Sequence, residues 1–247
     1  MAPCSWKASS RPPPAARARD EADVHWHGRL VALAASACQA LQRRVPWPLD
    51  LGVRDGQAMR SWTRCAPPTG FAVNYRALGF RPPMLLSSLG RCYLAFCLPA
   101  ERREILETLS RSCSQADIAA RRPERIQRLL ASAAAQGYAT RDPSHTEADS
   151  ADRFGAISVP VRLGGSALAC ISISWLPAVA SEPQIVQAHL KVLQEAAAAI
   201  EQRLAREDFA AIRARPARAR ATPQAGAPAT AAARSGSGRP GPPGRAG

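Results

Sequence analysis

The chain has 247 residues, 46% of them hydrophobic, enough for one large domain or two small ones. Its net charge of +14 is unevenly spread: seven arginines and no acid follow Ile212, and a second basic stretch runs from Lys7 to Arg19. No apolar run approaches the ~20 residues of a membrane span, and no hydrophobic core follows the basic N-terminal residues, so neither a membrane anchor nor a secretory signal is expected. Seven cysteines, an odd number without ordered spacing or a CxxC pair, exclude a secreted disulfide framework and a cysteine-type metal site. They read as small buried hydrophobes in a reducing compartment, and the expected location is cytoplasmic.

Met1–Asp20, with Pro12, Pro13 and Pro14 followed by an Ala/Arg run, has no periodicity and is expected to be disordered. A helix is predicted from His25 to Arg44, with Leu30, Leu33, Ala37 and Leu41 along one face and Pro46 and Pro48 beyond its end. Leu49–Arg54 and Gln57–Arg64 form a hairpin around Asp55-Gly56, a strong tight-turn pair. A further strand is predicted at Phe71–Arg76.

Gly79–Cys97 (GFRPPMLLSSLGRCYLAFC) reads as a loop feeding a short helix. Pro82 and Pro83 hold the approach extended, Ser87 or Ser88 caps the start, and Leu89, Cys92, Tyr93 and Phe96 share one apolar face. Such a helix start presents backbone N–H groups without intrahelical partners and the positive end of a dipole, which suits a carboxylate.

Pro99 opens a helix through Leu109, and Pro123 opens another that Gly137 closes. Tyr138–Thr140 is a short strand and Arg141–Arg153 an irregular polar loop. Gly155–Leu163 and Ser166–Ser174 form a second hairpin around Gly164-Gly165, with Ser172 and Ser174 on one face of the returning strand. Ser181 caps a long helix whose inner face carries Ile185, Leu190, Leu193, Ala197, Ile200 and Leu204. From Ala214 the chain is Pro/Ala/Arg/Gly-rich. This order predicts an α+β fold: a mainly antiparallel sheet flanked by helices, with both ends disordered.

Four stretches match the IclR family of bacterial transcription regulators in order and spacing: Ser87–Leu106 (SSLGRCYLAFCLPAERREIL), Leu129–Asp142 (LLASAAAQGYATRD), Ile157–Ser174 (ISVPVRLGGSALACISIS) and the closing helix. Together they cover about Asp23 to Leu204. VPWPLDLGVRDGQAM (Val45–Met59) resembles the branch that regulates catabolism of phenylpropionate-type aromatic acids.

The resemblance implies a GAF-like, curved-sheet effector-binding domain at 23–210, between irregular segments at 1–22 and 211–247. It implies a small carboxylic acid as ligand, assembly as a homodimer or homotetramer, and no cofactor, membrane contact or catalysis. The acid would be held by backbone groups at Ser88 and Leu89, just ahead of Gly90, and by Arg141 or Asp142. Ala156, where many members carry cysteine, and the hydroxyls of Ser172 and Ser174 would complete the site. Met59, Phe71 and Leu86 would wall its ring.

Regulators of this family read DNA through a winged helix-turn-helix. Only about twenty Pro-, Ala- and Arg-rich residues precede the first matching helix, below the ~40 that fold alone, so that reader is expected to be absent. An upstream start, a broken reading frame and a free-standing GAF-like module acting through protein partners all stay open.

Other features read as structural. His25 and His27 lack an acid or cysteine at metal-ligand spacing. Ser144-His145 lies in a polar loop without a GxSxG elbow. Gly164-Gly165 is a turn rather than a phosphate loop. The arginine-rich tail could contact phosphates without sequence preference; it reads better as the by-product of a GC-rich coding region.

Overall fold

A computed structural model describes residues 14–65, 81–145 and 154–207. In chain order the elements are α1 (Pro14–Arg44), β1 (Leu49–Asp55), β2 (Ala58–Cys65), α2 (Ser88–Phe96), α3 (Pro99–Ser110), a 3₁₀ segment (Gln115–Arg121), α4 (Pro123–Gln136), β3 (Ala139–Thr140), β4 (Gly155–Leu163), β5 (Ser166–Trp175) and α5 (Glu182–Arg206). The described strands form one antiparallel sheet in the order β2-β1-β5-β4-β3. The predicted strand at Phe71–Arg76 lies outside the described residues.

Strand pleating sorts the sheet's side chains into two cores. Leu49, Leu51 and Val53 of β1, Ile157, Val159 and Val161 of β4, and Ala169, Ile171 and Ile173 of β5 pack against α1 and α5. The other face carries Met59 of β2 and Cys170 of β5, and packs against α2 with α3 and α4 behind it. Ile200 and Leu204 of α5 are fully buried, each worth roughly 1.5–3 kcal/mol of apolar transfer.

Local chemistry sets the element ends. Ser181 donates both its backbone N–H and its hydroxyl to Gln184 Oε1 at 2.8 Å, half of a reciprocal helix start. Pro99 and Pro123 occupy first-turn positions of α3 and α4, where a missing N–H costs nothing. The β4–β5 turn places Gly164 at φ 61° and Gly165 at φ 83°, a pairing that strand twist favours and side chains resist.

Three expectations need correction. Helix α1 opens at Pro14 instead of His25, so it takes in 14–22, where irregular chain was expected. Its buried face is Trp26, Leu30, Ala34, Ala37, Cys38 and Leu41, with Leu33 only partly buried. Of the described cysteines, Cys38, Cys92, Cys97 and Cys170 are buried, but Cys113 is exposed. His27 is buried with its ring 3.7 Å from Trp26 and 4.9 Å from Trp62, within an aromatic cluster.

Helix α2 sits unusually close to the chain that precedes it. A Cβ built on Gly90 would lie 2.3 Å from Met84 O and 2.5 Å from its Cα, both backbone atoms that have no rotamer to escape into. Gly90→Ala should therefore destabilise the fold by about 1–3 kcal/mol, the usual range for overpacking. A lowered urea midpoint with unchanged slope is the expected outcome; wild-type stability would show that α2 can withdraw from Met84 without loss.

Candidate functional site

The N-terminus of α2 is built by Ser87. Its Oγ accepts the Gly90 N–H at 3.0 Å and donates to Pro83 O at 2.8 Å, joining the helix start to the extended approach. Arg91 N–H reaches Ser87 O at 3.1 Å as the first intrahelical bond. The N–H groups of Ser88 and Leu89 have no acceptor among the described residues. They lie at the positive end of the helix dipole, in residues that are 3% and 4% exposed.

This helix end meets a polar row on the α2 face of the sheet. Ser158 Oγ donates to Ser88 Oγ at 2.8 Å, fixing the first turn of α2 over β4. Ser158 pairs with Ser172 across β4–β5, and Ser172 pairs with Asp50 across β5–β1. Asp50 in turn accepts a hydrogen bond from Ser61 Oγ on β2. One register step away, Ala156 pairs with Ser174, whose N–H donates to Pro48 O at 3.1 Å. Hydroxyls, a carboxylate and an alanine thus occupy positions where the opposite face carries Leu, Ile and Val. Ser158 and Ser172, at 0% and 3% exposure, are buried polar groups in that floor.

Of the residues singled out from the sequence, Ser88, Leu89, Gly90, Ala156, Ser172 and Ser174 come together here. Met59 is fully buried on the same face and Leu86 is partly exposed nearby, while Phe71 lies outside the described residues. Asp142 is differently employed. Its N–H donates to Leu86 O at 2.9 Å, and its carboxylate accepts from Arg91 Nη2 and from the Ser144 N–H and hydroxyl at 2.9 and 2.6 Å. Burial alone would push the Asp142 carboxyl up; the Ser144 hydrogen bonds and the Arg91 charge outweigh it and hold it below the usual carboxylate range. Asp142 is a tether of the site's wall. Arg141 likewise donates to His145 O at 3.1 Å, and its own N–H donates to Ala156 O at 3.0 Å.

Four residues escaped the sequence reading: Asp50, Ser61, Arg91 and Ser158. Period-2 counting would have found Ser158, two residues from Ala156, and Asp50, the one acid among the inward-turning positions of LDLGV. Arg91 had no such signal, because a single arginine on a short helix reads as surface. It is buried, donating through Nε to Leu85 O at 2.7 Å and through Nη1 to Thr140 O at 3.3 Å besides its pair with Asp142. Among the described residues no group of three or more His, Cys, Asp or Glu is placed to hold a metal ion. No described helix is long and apolar enough to cross a membrane.

An antiparallel sheet with a helix N-terminus set above a buried hydroxyl row is a geometry suited to an anionic ligand. Residues 25–202 match the family described as bacterial transcriptional regulator IclR C-terminal. The chain belongs to that family: it is the effector-binding domain of an IclR-type transcription regulator, and the family is one of regulators, not of enzymes.

Solved structures agree on the fold. The IclR protein of Thermotoga maritima is 20% identical, with a TM-score of 0.60 over 76% of this chain and 74% of that one. The C-terminal domain of the Escherichia coli regulator KdgR is 21% identical, with a TM-score of 0.55 over 71% of this chain and 98% of that one. An IclR homolog of Microbacterium hydrocarbonoxydans, solved with 4-hydroxybenzoate, is 28% identical, with a TM-score of 0.55 over 72% of this chain and 69% of that one.

The 141–145 turn makes the wall pH-sensitive. Burial, followed by the Arg141 charge, lowers the His145 pKa to about 4, with Asp142 pulling the other way and Arg91 adding to the fall. The unfolded chain binds that proton near the ordinary 6.5. Between those values it holds more protons than the folded one, so stability is lost as pH falls through this window. Urea midpoints at pH 7, 6 and 5 should decline more steeply for wild type than for His145→Gln; parallel declines would remove His145 as the cause.

Proposed function

We propose that the domain senses a small aromatic carboxylic acid, held with its carboxylate at the start of α2 and its ring over the β4–β5 floor. The observation that carries this reading is the pair of buried N–H groups at Ser88 and Leu89 that have no acceptor among the described residues, at a helix N-terminus. Ser172 and Ser174 supply hydroxyl donors, Gly90 lets the helix start approach the Met84 backbone, and Ala156 leaves room where a larger side chain would intrude. Asp142 acts indirectly, through Arg91 and the turn it holds. Met59 and Leu86 contribute apolar wall.

Asp50 sharpens the ligand class. It lies on β1, two strand spacings or ~10 Å from Ser158 along the row, with Ser61 of β2 beyond it. A carboxylate there repels a second acid and accepts from a hydroxyl. A hydroxylated aromatic acid therefore suits the row better than an unsubstituted one, and the 4-hydroxybenzoate in the Microbacterium hydrocarbonoxydans homolog supports this. Binding would bias the relative orientation of protomers in a homodimer or homotetramer, and DNA contact would run through a winged helix-turn-helix reader outside residues 23–210.

Calorimetry with 4-hydroxybenzoate tests the site. Each hydrogen bond to a charged group is worth ~1.5–3 kcal/mol, so Ser172→Ala with Ser174→Ala should weaken binding at least tenfold with thermal unfolding unchanged. Leu89→Pro should weaken it further by deleting a donor at a position where the helix tolerates proline. Asp50→Asn should narrow the preference for 4-hydroxybenzoate over benzoate. Unchanged affinity in the double serine variant would place the ligand on another face.

A further inference from the structure

Behind α2, on the side away from the sheet, α3, the 3₁₀ segment and α4 enclose a groove of about 530 Å³. That volume falls within the range of small-molecule sites. Its floor is apolar, with Ala95, Leu106, Ile126 and Leu130 among the lining residues. Among the described residues that line it, Arg102 and Arg103 are the only charged ones, and none is an acid.

Arg102 is held in place by a 3.0 Å hydrogen bond from Nη2 to Ala95 O, near the C-terminal end of α2. Its Nε is buried and has no hydrogen-bond partner. Burial raises the Cys97 thiol to about 11, so it stays neutral beside Arg102. Glu101 is committed elsewhere, to Arg54 at 2.8 Å and to the Tyr93 hydroxyl at 2.5 Å. Arg102 and the exposed Arg103 thus give that wall two positive charges with no acid among the described lining residues, which an anion in the groove would meet.

We propose that this groove is a second ligand site, separate from the one at the N-terminus of α2, for an apolar molecule with a single carboxylate. The apolar body lies on the Ala95–Leu106–Ile126–Leu130 floor, and the carboxylate lies against Arg102 and Arg103. The excess of positive charge at one wall selects an acid over a neutral compound of the same size.

Calorimetry of the full chain with sodium octanoate, and with octan-1-ol as the uncharged control, tests this. Octanoate should bind at least tenfold more tightly than octanol. Ala131→Trp, which fills the groove from an exposed helix position, and Arg103→Glu, which reverses an exposed charge, should each weaken octanoate at least tenfold without shifting thermal unfolding. Ser172→Ala with Ser174→Ala should leave octanoate binding intact, and saturating 4-hydroxybenzoate should not displace it. Absence of octanoate binding, equal binding of octanol, insensitivity to both groove variants, or displacement by 4-hydroxybenzoate would each overturn the proposal. So would light scattering in which Ala131→Trp changes the number of associated copies while octanoate does not bind, because the groove would then seat another protomer.

Discussion

The site depends most directly on where Arg91 puts its guanidinium. A buried arginine must find partners for its donors, and this one finds them in three separated stretches: Leu85 ahead of α2, Thr140 at the end of β3, and Asp142 in the following turn. Burial draws its pKa down and Asp142 holds it up, so the pair is stable only as a pair. Removing Asp142 would leave the buried Arg91 guanidinium without its counter-charge, which is destabilising. What that buried pair gives in return is position. The approach to α2, the edge strand and the loop bearing His145 are locked to one another, and the buried N–H groups of Ser88 and Leu89 are thereby held over the sheet.

The sheet itself solves a second problem, that of being both core and floor. Its α1/α5 face is filled with branched apolar side chains and gives conventional stability. Its α2 face trades part of that packing for Asp50, Ser61, Ser158 and Ser172, which have to satisfy one another. Buried hydroxyls add little net stability even when paired. The two faces of one sheet therefore differ in kind, one closed by apolar packing and the other carrying buried polar groups beneath α2.

Much of this was legible in the sequence, for reasons that differ by element. The two hairpins announced themselves through Asp55-Gly56 and Gly164-Gly165, and the α3 and α4 starts through Pro99 and Pro123, because turn and first-turn geometry are local properties. The Ser88–Gly90 start and the Ser172/Ser174 face were also readable, since capping and alternation are short-range. The early start of α1 was not: Pro14 and the Ala/Arg run after it resemble disordered chain in composition, yet alanine and arginine are strong helix formers and proline is tolerated in a first turn. The pairing of Asp142 with Arg91 was not legible either, because the two lie 51 residues apart. No local pattern reports a pairing at that range.

Helix α2 connects the two ends of the argument about function. Eight of its nine residues, all but Phe96, are buried, so it has no solvent face to absorb a local displacement. Its first turn is bonded to Ser158 and crowded by Met84, and its last turn accepts from Arg102 through Ala95. A rigid segment gripped at both ends transmits a shift rather than dissipating it. Any ligand that moves one end by its own differential affinity must therefore change the affinity at the other by the same factor, since coupling between sites is reciprocal. The direction of that coupling follows from whether the two occupied geometries of α2 agree. Agreement makes one ligand pre-order the helix for the other, and disagreement weakens each by a bounded factor that saturating ligand at one site does not turn into displacement from the other.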